Sequence, residues 1–367
     1  MKWSEVPEPD LAYAPRMYTC LRATEALELD GRLDKPFWAK APWTEDFVDI
    51  EGDKRPLPVK RTRVKMLWDD DYFYIGAELE EDEIWATLTE RDSVIFQDND
   101  FEIFIDPDGD THQYYEFEIN ALGTVWDLLL VTPYRDGGPP VNGWDIRGLR
   151  TAVHIDGELN NPAAVNRSWS VEVAMPWDAL KECAAHGRPP VAGQWWRVNF
   201  SRVQWRVEVQ EGEYRKVTDP ATGRPYPEDN WVWSPQGVVN MHYPELWGYV
   251  VFEDGEALAT GQMAAMQGNG QELRMQPDAA WAMPPDERVK WRLRRLYYRQ
   301  REYYARHGRF TDDLTLLARG ERELNGPELR IETGTGLFRI AAPSAEGAAI
   351  YWIREDGRCW REGGDDV

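Results

Sequence analysis

The 367-residue sequence has only three cysteines, Cys20, Cys183 and Cys359, and five histidines. The cysteines are odd in number and far apart, which argues against a disulfide framework or a cysteine-rich zinc site. His112, His154, His186, His242 and His307 are scattered without metal-ligand spacing. No apolar run approaches the roughly 18 residues of a membrane span, so no membrane insertion is expected. Positive charge is also short: 42 Lys and Arg against 65 Asp and Glu leave a formal charge of −23. A nucleic acid or an anionic membrane surface is therefore not expected as a general partner. The first ten residues lack the apolar core of a signal peptide, and the compartment stays open. Walker, HExxH, GxSxG and dinucleotide-binding signatures are all missing.

Aromatic residues, by contrast, are abundant: 19 Trp, 16 Tyr and 11 Phe. Such flat, amphipathic side chains either fill a core or stack on ligands. The middle of the chain reads as short alternating strands separated by polar turns. Residues 63–68 and 72–79 flank Asp69-Asp70-Asp71 as one hairpin, and 101–105 with 115–119 form a second around Asp106-Pro107-Asp108-Gly109-Asp110. Further strands are expected at 125–131, 149–155, 168–174, 195–203 and 247–252, with a short helix at 176–183. This pattern predicts an all-β protein, an antiparallel jelly-roll-like β-sandwich, with a small C-terminal helix-plus-hairpin appendage. The expected organisation is an N-terminal extension (1–24), the sandwich (25–254), a linker or wrap (255–285) and the appendage (286–367). In the appendage, Val289, Leu293, Leu296, Tyr297, Gln300 and Tyr304 share a helical face ending at Gly308. Residues 286–309 carry nine basic and three acidic side chains, a net +6 against −29 on the remainder. This basic helix is expected to dock intramolecularly on the acidic body.

Three clusters could carry chemistry. The Asp106, Asp108, Asp110 turn offers alternate carboxylates suited to a structural calcium ion, or is simply a solvated turn. Around Phe96, the residues Asp98, Asn99 and Glu102 combine an aromatic face with carboxylate and amide groups, as sugar recognition requires. They could equally be a strand-entry loop bonding its own backbone. Trp231, Trp233 and Trp144, read as loop tryptophans, are expected to be surface stacking candidates, with Asn240 and His242 close by, although packing against the long linker explains them equally well. No organic cofactor is expected.

Four stretches, Leu29–Trp38, Val64–Leu79, Asp98–Asp106 and Trp169–Trp177, resemble the family 9 carbohydrate-binding modules over about residues 25–253. The resemblance implies a jelly-roll-like sandwich, structural calcium, a sugar-clamping site and a glycan or oligosaccharide partner, and it allows an extracytoplasmic mature form. By position, the family's sugar-bonding glutamate falls on Glu102 and its first clamp aromatic on Phe96. Its sugar-binding arginine corresponds to Glu118, a reversal of charge, and its second clamp tryptophan falls near Met241, so that Trp231 or Trp233 would have to rebuild the clamp. Two rival readings remain: a glycan hydrolase using Glu102 and Glu118 as a carboxylate pair, and a sandwich holding haem through Met241 or His242.

Overall fold

The computed structural model describes residues 3–255 and 282–363. Most of the predicted linker, 255–285, lies outside the described residues. The strands are β1 (Met17–Arg22), β2 (Val48–Asp49), β3 (Thr62–Trp68), β4 (Tyr72–Glu80), β5 (Asp100–Asp106), β6 (Tyr114–Asn120) and β7 (Val125–Leu130). Next come β8 (Pro140–Val141), β9 (Arg150–Asp156), β10 (Ser168–Pro176), β11 (Trp195–Gln204), the hairpin β12 (Val207–Gln210) and β13 (Glu213–Lys216), β14 (Asp229–Val232) and β15 (Gly248–Glu253). All of these except β12 and β13 join one curled sheet, ordered β8-β7-β6-β5-β11-β15-β1-β3-β4-β10-β9, with β14 bridging β11 and β2.

The sheet folds back on itself as a sandwich, because alternate residues of both halves are apolar and meet in the middle. Val64, Met66, Phe73, Ile75, Val171 and Val173 from one half pack with Phe101, Ile103, Phe117, Ile119, Val198 and Phe200 from the other. The Asp69 turn forms as predicted: its side chain accepts from the backbone N–H groups of Asp71 and Tyr72 at 2.9 and 2.8 Å.

The predicted N-terminal extension contains a structural strand. β1 runs parallel to both β15 and β3 and joins the two halves of the sandwich, so the sheet is not wholly antiparallel. Its neighbours are far away in sequence, which hides it from any local pattern.

The Leu29–Trp38 stretch has a packing role. Backbone N–H groups of Asp30 and Gly31 donate to Glu172 Oε2 on β10, both at 2.9 Å, and Trp38 Nε1 donates to Oε1 of the same carboxylate at 2.7 Å. Lys35 Nζ adds a salt bridge at 2.9 Å, so a fully buried acid is entirely satisfied. Gly31 is required here: its φ is +82°, and a Cβ would come within 2.4 Å of the His154 backbone nitrogen.

A short helix, α1 (Trp177–Leu180), lies where the sequence places one. The C-terminal part has α2 (Pro285–His307), α3 (Leu314–Ala318) and a sheet of β16 (Arg330–Gly334), β17 (Leu337–Pro343), β18 (Ile350–Arg354) and β19 (Cys359–Glu362). Gly308 caps α2 in the left-handed conformation at φ 68°, as expected. Leu293, Leu296, Ile340 and Ile353 form the apolar contact between helix and small sheet.

Charged residues of α2 meet the sandwich directly, with both polarities. Arg197 on β11 pairs with Glu287 at 2.6 Å, and both are buried. Arg301 reaches Asp136 at 2.5 Å. Glu245, in the turn before β15, receives both Arg135 and the Tyr298 hydroxyl. α2 thus clasps the sandwich through ion pairs of both polarities. Among the described residues, no helix is long and apolar enough to cross a membrane.

Candidate functional site

Strand alternation places one set of β5, β6 and β11 side chains in the core and the other set on the outer face of the sheet. On that outer face, Glu102 of β5 lies directly opposite Glu118 of β6 and Ser201 of β11. Glu118 in turn faces Trp126 of β7. Asp100 faces Asn120 and Val203, while Glu116 lies opposite Phe104. The result is a floor with four carboxylates, Asp100, Glu102, Glu116 and Glu118, of which Glu116 is the most exposed at 6%.

Aromatic residues border this floor. Phe96 is half-buried, packs into the Trp85 and Trp205 cluster, and its backbone N–H donates to Glu118 Oε2 at 3.0 Å. Trp205 Nε1 donates to the Phe96 carbonyl at 2.8 Å, and Lys216 Nζ lies 3.3 Å from the centre of the Trp205 ring. Burial moves the Lys216 amine down to about 8. At the other end, the His242 ring packs edge-on against Tyr134 at 4.5 Å and against Phe104 at 5.9 Å. Tyr134 is 42% exposed.

The floor gathers four carboxyl groups with no salt bridge to any of them among the described residues. Burial first, then their mutual repulsion, pushes the Asp100, Glu116 and Glu118 carboxyls well up. Burial, against the lowering effect of the Ser201 hydroxyl beside it and with a contribution from Glu228, raises Glu102 to about 7. Asp100 Oδ2, Glu116 Oε2, Glu118 Oε1, Ser201 Oγ and Trp126 Nε1 have no hydrogen-bond partner among the described residues. Such orphaned groups are costly in a core and useful where a ligand brings the missing partners.

The predicted site residues divide accordingly. Phe96, Glu102 and Glu118 come together, and Asn240 and His242 join the far end of the same face. There, Asn240 Oδ1 accepts from the His242 backbone N–H at 2.8 Å, and the His242 ring nitrogen Nδ1 lies 2.8 Å from the Tyr114 hydroxyl. Asp98 is instead a buried staple, accepting from the Thr87 and Leu88 N–H groups at 2.8 Å and from Asn120 at 3.0 Å. Asn99 similarly accepts from the Trp205 N–H at 2.7 Å. These two side chains tie neighbouring segments to β5 rather than bonding their own loop or facing the floor.

The three tryptophans read as surface stackers are not on this face. Trp231 belongs to β14, between β11 and β2, and Trp233 N–H donates to the Phe200 carbonyl at 3.0 Å. Both rings lie in the inter-layer core, at 5% and 0% exposure. The Trp-Val-Trp alternation already carried that strand signal, with Val232 pointing the other way. Trp144 packs on the core side, stacked on Tyr115 at 4.7 Å. The aromatics that do border the floor, Trp126, Tyr134 and Trp205, escaped sequence reasoning. Only Trp126 had a usable signal, since it alternates in register with Glu118.

The rival chemistries find little support in this geometry. One carboxylate oxygen from each of Asp100, Glu102 and Glu118 lies within 4.8 Å of the others. Glu102 and Glu118 sit side by side on adjacent strands of one sheet rather than flanking a bond. Haem ligation is disfavoured because Met241 is buried against Phe104, Tyr114 and Trp247 while the His242 ring is already engaged by Tyr114. Burial lowers that imidazole to about 3.

The predicted calcium turn keeps its carboxylates together, with Asp106, Asp108 and Asp110 oxygens within 4.8 Å of one another. Asp106 is buried and accepts from Gly109 and Thr111 N–H groups, both at 3.0 Å. Burial and the neighbouring carboxylates raise Asp108 to about 6. Arg358 pairs with Asp110 at 2.9 Å, so part of the charge is already neutralised.

Residues 29–188 match the family described as Carbohydrate family 9 binding domain-like. The chain carries a family 9 carbohydrate-binding domain-like region. Floor strands β5 and β6 and the Leu29–Trp38 packing motif fall inside this family-9-like region, whereas β11, β14 and the clasp lie beyond it. No curated protein matches the chain. Among solved structures, a Bacteroides uniformis protein provisionally described as carbohydrate-binding is 15% identical, at TM-score 0.47, covering 65% of this chain and 100% of its own. Family 9 modules from Caldicellulosiruptor kristjanssonii, solved with cellotriose and with glucose, are each 15% identical at TM-score 0.40. These cover 66% and 64% of this chain and 97% and 96% of their own.

Proposed function

We propose that this protein binds a glycan on the outer face of β5 and β6, with Glu102 and Glu118 accepting from sugar hydroxyls and Phe96 stacking on a ring face. One observation carries this reading: a row of buried acceptors lacking partners, bordered by Phe96, Trp126 and Tyr134. Carboxylates take hydroxyl donors in charge-assisted bonds, and aromatic faces cover the apolar C–H face of a sugar. The reading is consistent with the family-9-like region, in whose motif Phe96 and Glu102 hold matching positions. Glu118 in place of an arginine sets this site apart, so the sugar preference is proposed to differ from that of glucose- or cellotriose-binding modules. The Asp106, Asp108 and Asp110 turn is proposed to hold a structural calcium ion, for which its all-oxygen donor set is suited.

Isothermal titration against a panel of soluble oligosaccharides, with cellotriose and glucose included, tests the site. Phe96→Ala and Glu102→Gln are each expected to weaken binding at least tenfold, about 1.4 kcal/mol or more. A glycan that binds both variants as tightly as the wild type places recognition elsewhere.

A further inference from the structure

Four groups of acidic residues bring carboxylate oxygens within 4.8 Å of one another, and they differ in what neutralises them. Glu81 is held by Lys60 and Arg202. Asp127 and Asp145 share Arg91, and Asp110 has Arg358. Asp100, Glu102 and Glu118 are more deeply buried than any of these groups taken as a whole, yet they form no salt bridge among the described residues.

Burying three close carboxylates without a counter-charge is strongly unfavourable unless protons or a cation bind between them. Two side chains outside the triad also lack partners. Ser201 Oγ, wholly buried and opposite Glu102 in register, has no hydrogen-bond partner among the described residues, and neither does Glu116 Oε2 on the neighbouring floor position. Oxygens bound to one ion at about 2.4 Å can be no more than about 4.8 Å apart, which is the limit met here.

We propose that Asp100, Glu102 and Glu118 hold one hard divalent cation, best matched by Ca²⁺, on the outer face of β5 and β6. An all-oxygen donor set excludes the softer metals as preferred occupants. Three protein oxygens leave much of a calcium shell open, and Ser201 supplies a neutral hydroxyl beside it. The remaining positions suit water or paired hydroxyls of a sugar. The site is separate from the Asp106 turn and does not depend on the glycan reading.

Terbium, an oxygen-seeking ion of calcium's size whose luminescence is sensitised by nearby tryptophan, is the probe. The full chain is titrated as wild type, as Asp108→Asn, and as the double variant Asp108→Asn with Glu118→Gln. Asp108→Asn is expected to retain a Tb³⁺ site that Ca²⁺ displaces, with Trp126 beside Glu118 as sensitiser. The double variant is expected to bind there at least tenfold more weakly. An isotherm unchanged by Glu118→Gln overturns the proposal, as does complete loss of Tb³⁺ in Asp108→Asn alone. Asp100→Asn serves as the second variant, with circular dichroism confirming that each chain is folded. Glycan titration in Ca²⁺ and in EDTA separates this inference from the glycan reading. Glycan binding with no Tb³⁺ site at Glu118 removes only the cation, and Tb³⁺ uptake there with no glycan binding removes only the glycan.

Discussion

Replacing Glu245 by alanine is expected to cost about 3 to 5 kcal/mol of folding stability, measured as a lower urea midpoint at unchanged m value. Glu245 is buried and accepts both Nη2–H bonds of Arg135, at 2.8 and 2.9 Å, together with the Tyr298 hydroxyl from the clasp. Arg294 approaches within 3.6 Å. Removing the carboxylate takes the shared counter-charge from these two buried guanidinium groups, each of which already has an orphaned Nη1, and leaves Arg135 with Asp136 at 3.2 Å. The loss therefore reflects desolvated charge more than lost contact area.

The same residue gives an acid-side signature. Against the cost of burial, Arg135 and Arg294 hold the Glu245 carboxyl down at about 2, and Lys290 with Arg197 do the same for Glu287. A carboxyl depressed in the folded state stabilises fully above its unfolded value of about 4.3, and that contribution is lost as pH falls toward 2. Glu245→Ala should thus flatten the fall in stability between about pH 5 and pH 2. A change below about 1 kcal/mol at neutral pH would mean that the clasp is held by its apolar face alone.

What could be read from the sequence was what local pattern encodes. The β3–β4 and β5–β6 hairpins follow from alternation and Asp-rich turns, and α2 follows from its apolar face and the Gly308 cap. The pairing of Glu102 with Glu118 was also visible, because a hairpin fixes which residues lie opposite. β1 was hidden, since its parallel partners are contributed by residues 67–68 and 249–253. Trp231 and Trp233 were misplaced because proline, glycine and polar residues downstream disguised a strand as a loop. Trp205 and Lys216 came to the site through packing around the β12–β13 hairpin, which no short-range spacing announces. The absence of a counter-charge for the floor could not be read at all, because it depends on where every arginine ends up.

That missing counter-charge underlies the second large effect. In the presence of a chelator at pH 8, Glu102→Gln is expected to raise stability by about 1 to 3 kcal/mol, even as it removes an acceptor for the glycan. Burial holds the Glu102 proton on the folded chain up to about pH 7, whereas the unfolded chain releases it near 4.3. Between these values the folded state binds more protons than the unfolded state, so the wild type loses stability as pH rises. Above pH 7 the ionised Glu102 faces Asp100, Glu116 and Glu118 on the floor and Glu228 at its edge, with no salt bridge to any of the floor carboxylates among the described residues. A glutamine is neutral at every pH, and its amide can donate to the orphaned oxygens of Asp100 and Glu118. The advantage of Glu102→Gln should therefore be near zero at pH 4 and complete at pH 8. Saturating Ca²⁺ should invert the order, because a cation that needs three carboxylates stabilises only the chain that keeps them. Urea midpoints of both proteins at pH 4 and pH 8, each with EDTA and with Ca²⁺, check the pattern. A variant less stable than the wild type in EDTA at pH 8 would show that the carboxylates are already compensated within the protein.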